Sequence, residues 1–226
     1  MGINLTMPLP SIRSFFLNGP AGRLEALLNG GAERPTHAAV VCHPHPLFGG
    51  TLHNKVVFHA MKALNGLGFP VLRFNFRGAG LSQGVHENGH GEAGDVRTAL
   101  DWLDQEFHLP LIFCGFSFGA AVGLGVACPD TRVQAVIGLG TPVAPVADRS
   151  YDLGCLETCG KPKLLVSGDR DQFGSPAQLE KLVESLPEPR KLVLIAGADH
   201  FFEGHLEEMR ETIEGWIRKV VLGATS

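Results

Sequence analysis

The 226-residue sequence has no excess of basic charge: 19 Lys and Arg stand against 23 Asp and Glu, a formal net charge of −4. Binding to a nucleic-acid backbone relies on clustered positive charge, so no nucleic-acid partner is expected. Cysteine is sparse and odd in number, at Cys42, Cys114, Cys128, Cys155 and Cys159. Several of these lie in apolar runs where a thiol serves as a small core residue, and the C-x3-C of Cys155 and Cys159 lacks the second pair of a zinc site. No disulfide frame and no metal is expected. A secretory leader pattern, an internal repeat, a low-complexity tract and a linker are all missing. The expectation is therefore one domain over residues 1–226 in a cytoplasmic setting.

Two membrane signals are weak. Residues 109–128 carry no formal charge, with Gly115, Gly119 and Gly123 in G-x-x-x-G spacing, but Pro110, four glycines and a central Ser117 argue against a lipid-facing helix. The stretch divides better into a buried strand, a turn and a buried helix. Met1-Gly2 followed by Thr6 fits an acylation pattern too loose to carry weight. No membrane partner is expected.

From residue 38 onward, short β-rich runs alternate with helix-period segments, the form of βαβ units around a mostly parallel sheet. Buried strands are expected at 38–42, 71–76, 111–114, 133–139, 163–167 and 192–196, after an opening hairpin of 12–17 and 23–28 about Asn18-Gly19-Pro20. That makes eight strands in one open sheet. Helices are expected at 54–67, 92–107, 118–127, 176–186 and 203–221, filling both faces. In the last, Leu206, Met209, Ile213, Trp216 and Ile217 form one apolar stripe. Two long loops, 78–94 and 140–160, have the length of functional or mobile segments.

The strand 111–114 runs into Gly115-Phe116-Ser117-Phe118-Gly119, and a Gly- and Ala-rich helix follows. This is G-x-S-x-G between strand and helix, where the serine rides a sharp turn and small residues let helix and strand approach. The alternative is a serine that merely caps the helix. A serine hydroxyl needs a base, and the base an orienting acid. Candidates follow later strands: Gly168-Asp169-Arg170-Asp171 after one, Asp199-His200 after the next. Asp199 precedes His200 directly, and neighbours in extended chain point to opposite sides. Asp169 follows the turn glycine and suits a backbone-bonding Asx role.

With these residues in the order Ser117, Asp171, His200, the chain resembles small, lidless α/β-hydrolases such as bacterial predicted hydrolases and, more distantly, dienelactone hydrolases. The resemblance spans nearly the whole chain and rests also on His43-Pro44-His45-Pro46-Leu47-Phe48-Gly49-Gly50 and Asn75-Phe76-Arg77-Gly78-Ala79-Gly80-Leu81-Ser82. It implies an α/β-hydrolase fold without a lid domain, with Asp171, the second aspartate of the G-D-x-D loop, as the acid. It implies an oxyanion hole from the backbone N–H of Phe118 and a donor in the loop 43–50. Pro44 and Pro46 have none to give, and the family pattern favours His45 over Leu47 or a residue beyond. Dienelactone hydrolases carry a cysteine nucleophile where this chain has Ser117, so a lactone substrate is not implied.

The expected activity is carboxylesterase cleavage of short acyl esters through an acyl-enzyme, with a small-molecule ester as partner. Thioesterase or peptidase action through the same residues, or a non-catalytic scaffold, are the alternatives. Phe48, Phe116 and Phe173, with Phe118, are candidates to line a shallow apolar pocket, core packing being the alternative for Phe116 and Phe118. His43 is expected to brace its loop, and His37, His59 and His108 to be packing or surface residues. No cofactor is expected: Gly89-His90-Gly91-Glu92-Ala93-Gly94 matches a dinucleotide fingerprint but follows a polar loop, not a strand.

Overall fold

The computed structural model describes residues 11–144 and 150–224. The Met1-Gly2 pattern and residues 145–149 of the 140–160 loop lie outside them. The strands are β1 (Ile12–Gly19), β2 (Gly22–Asn29), β3 (Ala38–Cys42), β4 (Val71–Phe74), β5 (Leu111–Phe116), β6 (Val133–Leu139), β7 (Lys163–Gly168) and β8 (Arg190–Ile195). They form one sheet in the order β1-β2-β4-β3-β5-β6-β7-β8. β1 pairs with β2 and β2 with β4 antiparallel, and all other pairs are parallel.

The central strands are buried on both faces, which is why they read as continuous apolar runs. In β5, Leu111 and Phe113 point into one core, while Ile112, Cys114 and Phe116 point into the other. The helices are α1 (Lys55–Gly66), α2 (His90–Phe107), α3 (Phe118–Ala127), α4 (Pro176–Ser185) and α5 (Leu206–Trp216). α1 and α5 close the core under Ile112, whereas α2 and α3 close the opposite one. The uncharged stretch 109–128 is thus β5 plus α3, and no helix among the described residues is long and apolar enough to cross a membrane.

Element ends depart from the expected ones for identifiable reasons. The opening hairpin turns on Pro20-Ala21 rather than Asn18-Gly19-Pro20, since pairing continues to Gly19 and Gly22. The strand expected to reach residue 76 stops at Phe74, because the Phe76 N–H donates to the His43 ring. The helix expected from residue 203 begins at Leu206. Asp199 Oδ1 takes the N–H groups of Phe201 and Glu203, and Gly204 has φ +75, so no helix runs through this segment. Its far end relaxes into a π-helical turn, Ile217–Val221.

Three features position the site. After β3 the chain crosses to β4 on one side and then returns to β5 on the other, so the loops leaving β3 and β5 diverge and open a crevice at their carboxyl ends. The carboxyl ends of β7 and β8 face the same rim. Between β6 and β7 the described residues hold only a short 3₁₀ turn, Gly154–Leu156.

Candidate active site

β5 ends in a turn at Ser117, whose φ of 54° and ψ of −118° lie in a region costly for a residue with a side chain. The turn is over-determined by its surroundings. The Ser117 N–H donates to Leu139 O of β6 at 2.9 Å. A Cβ on Gly119 would sit 2.4 Å from His43 O, and one on Gly115 2.6 Å from the Ala120 nitrogen, so backbone meets backbone at both glycines. The Ser117 hydroxyl makes no capping bond to α3. It lies 3.0 Å from His200 Nε2 instead.

Of the three candidate acids, only Asp171 meets the imidazole. His200 Nδ1 is 2.8 Å from Asp171 Oδ2, with both side chains almost completely buried. A carboxylate only accepts, so Nδ1 carries the proton and Nε2 is left to accept from the serine. Two more donors hold the carboxylate: Ser167 Oγ on Oδ2 at 3.1 Å and the Phe173 N–H on Oδ1 at 2.8 Å. Asp169 takes the Gly197 N–H at 2.8 Å, tying the ends of β7 and β8 together. Asp199 serves the backbone of the following turn.

The loop after β3 approaches from the other side. His43 is fully buried, donates from Nδ1 to Pro44 O at 2.6 Å, and accepts the Phe76 N–H on Nε2 at 2.9 Å. Burial pushes its pKa down to about 4, which matches a ring with no room for a second proton. His45 precedes a 3₁₀ turn, Pro46–Phe48, and its Nδ1 accepts the Leu47 N–H at 3.2 Å. The amides of Phe48 and Gly50 donate to His45 O, and that of Gly49 to Pro46 O. The His45 ring rests 4.8 Å from the ring of Phe118 at the start of α3.

Ser117 and His200 open into a cavity of about 180 Å³ bounded by His45, Phe48, Phe118, Tyr151, Phe173 and Phe201. Phe116 is a correction: it does not line this cavity but is fully buried in the α1/α5 core, its ring 5.1 Å beneath that of His200. Alternation along β5 sends Phe116 inward, and the turn at Ser117 sends Phe118 the other way. Tyr151 and Phe201 are the aromatic walls that sequence reasoning missed. The length of loop 140–160 was the available signal for Tyr151, and adjacency to His200 for Phe201.

Cys155 and Cys159 are not an isolated pair, because Cys128 at the end of α3 packs in the same apolar cluster. All five cysteines are free thiols. Among the described residues no three His, Cys, Asp or Glu side chains converge as metal ligands would. Gly89, from the dinucleotide-like pattern, starts α2 with φ +96, and its N–H donates to Glu92 Oε2 at 2.8 Å.

The pattern of a family described as an alpha/beta hydrolase domain matches residues 48–222. An uncharacterized protein of Rickettsia prowazekii (strain Madrid E) is 35% identical over 209 residues, 89% of this chain and 87% of that one. An alpha-beta serine hydrolase homologue from Coxiella burnetii is 36% identical, with a TM-score of 0.82 over 90% of this chain and 96% of its own. An α/β serine hydrolase without lid from Xanthomonas campestris is 32% identical, with a TM-score of 0.84 over 96% and 97%.

Proposed function

The chain belongs to the alpha/beta hydrolase family, and from that premise we propose that it is a carboxylesterase acting through Ser117, His200 and Asp171 on short acyl esters. The observation that carries the proposal is the unbroken line from Ser117 Oγ to His200 Nε2, and from His200 Nδ1 to Asp171 Oδ2, opening into an apolar cavity.

Ser117 Oγ attacks the ester carbonyl while His200 Nε2 takes its proton, and Asp171 holds the ring in the right tautomer and stabilises the imidazolium. The carbonyl oxygen, now an oxyanion, accepts from the Phe118 N–H and a donor in loop 43–50. The prolines there have no amide to give, and the resemblance to the family favours the His45 amide as that donor. His200 returns the proton to the departing alcohol, leaving an acyl-Ser117 ester. Water, deprotonated by the same imidazole, attacks that ester and releases the acid and the free hydroxyl.

A fluorophosphonate probe tests the reading directly. Wild-type protein should label to one equivalent, Ser117→Ala not at all, and ester hydrolysis should vanish with the label. A scaffold on the same fold would not label. Comparison of matched ester, thioester and amide substrates then decides the class, and a kcat/KM highest on amides or thioesters would refute the esterase assignment.

A further inference from the structure

His86 does not border the cavity, yet it touches both residues assigned to the oxyanion hole. Its ring centroid is 4.6 Å from that of His45 and 5.5 Å from that of Phe118. With His45 and Phe118 themselves 4.8 Å apart, three rings close a triangle joining the β3 loop to the start of α3. The polypeptide carrying each assigned amide is braced by its own side chain against the same third ring.

That third ring sits against a fixed carboxylate. His86 Nδ1 lies 2.7 Å from Glu92 Oε1, with 6% of the His86 side chain and none of the Glu92 side chain exposed. Glu92 is fixed in turn, since Oε1 accepts the Glu87 N–H at 2.9 Å and Oε2 the Gly89 N–H at 2.8 Å. The segment bearing His86 is clamped again by Arg77, which bonds Glu87 Oε1 at 3.0 Å and Asp95 Oδ1 at 2.7 Å, with its own side chain buried. Both His86 ring nitrogens are buried without a hydrogen-bond partner, so Nδ1 meets the Glu92 carboxylate as a close contact and not as an aligned bond. An apolar ring would avoid the cost of two unbonded nitrogens, and the carboxylate beside Nδ1 is the charged group placed to offset it. This acid–imidazole pair is separate from Asp171–His200.

We propose that His86, packed beside Glu92, is a positioning residue whose ring wedges His45 and Phe118 so that both amides face the oxyanion before substrate arrives. The inference rests on the esterase reading given above. Amides that meet a charge present only in the transition state act on kcat and leave ground-state binding alone. A hole loosened on one side should lose part of the roughly 10²- to 10³-fold that removing a whole donor costs.

The test compares His86→Ala, His86→Phe and Glu92→Gln with the wild type on one p-nitrophenyl ester, with rates normalised to the final fluorophosphonate stoichiometry so that only folded sites count. The expected result for His86→Ala is a kcat lower by about 10-fold or more with KM within about 3-fold. Ki for a trifluoromethyl ketone, whose adduct bears the same oxyanion, should rise in parallel. His86→Phe should recover most of the kcat by restoring the ring, and Glu92→Gln should fall between. A His86→Ala variant with lowered Tm but unchanged normalised kcat, or with a change confined to KM, would overturn the proposal, as would a Phe variant as impaired as Ala. If His86→Ala does not fold, His86→Leu against His86→Phe makes the same comparison. Failure of the esterase reading shows separately, as a wild type that does not label or a Ser117→Ala that keeps its activity.

Discussion

Asp171 and Asp169 stand two residues apart and do different work: one carboxylate meets the His200 ring, the other a backbone amide of the β8 turn. Asp171→Asn would offer Nδ1 an amide donor and favour the wrong tautomer, so kcat should fall by about 10⁴ with the fold retained. Asp169→Asn keeps its accepting oxygen at an exposed site and should cost no more than about 1 kcal/mol of stability, with kcat near normal. Steady-state kinetics and thermal melts on the pair decide, and reversed phenotypes would refute the assignment. His43 provides a second contrast, in pH. Unfolded, an imidazole takes a proton near pH 6.5, whereas in the fold this ring resists protonation down to about 4. In that window the unfolded chain binds more protons, so the His43 contribution to stability is complete above pH 6.5 and declines as the pH falls toward 4. The loss should be on the order of 3 kcal/mol. His43→Gln, which cannot titrate, should be less stable at pH 8 but lose less on going from pH 6.5 to 4. Denaturant melts across that range check it, and equal slopes would show that His43 does not titrate in this way.

The elements around the site are loops set by strand ends, and the loop after β3 is the most constrained of them. Two prolines limit its dihedrals, the His43 ring ties it to Phe76, and four of its amides are spent internally or on the His45 ring. His45→Pro removes one amide from this frame and should lower kcat by about 10² to 10³ with KM little changed. A correctly folded, fully active proline variant would move the oxyanion donor elsewhere. At this scale much of the molecule was legible in the sequence. Strands buried on both faces appear as continuous runs such as residues 38–42, and the Gly115-to-Gly119 pattern locates the turn that presents Ser117, because only glycine tolerates the backbone contacts there. Less legible was whatever depends on which way a ring points after a turn. Phe116 and Phe118 flank the same serine and are both buried, in opposite cores, yet Phe118 also borders the cavity and Phe116 does not, a consequence of the Ser117 backbone that residue type does not encode. His86 was invisible for a related reason: its significance lies in rings brought to it by two other elements.

For the molecule as a whole, the connection between β6 and β7 is too short for a separate lid, and the cavity depends on loop side chains for its walls. Several of those walls are themselves exposed: Phe48 is 72% accessible and Phe201 49%. An acyl group of a few carbons can be covered by Phe118, Tyr151 and Phe173 beside Ser117. Each methylene that is buried contributes about 0.8 kcal/mol, and one that runs past the half-exposed rim contributes much less. Only the part of that burial realised when the reacting carbonyl is seated raises kcat/KM, so the gain should stop where the cavity of about 180 Å³ is filled. Across p-nitrophenyl esters, kcat/KM should therefore peak between about two and six acyl carbons and decline beyond, as longer chains cannot be accommodated without exposure. Assays below the critical micelle concentration of each ester keep monomeric substrate in view. A steady rise to long chains, above all with activation at a lipid interface, would mean that exposed Leu47, Phe48 and Phe201 form part of a longer groove, and the short-chain assignment would be wrong.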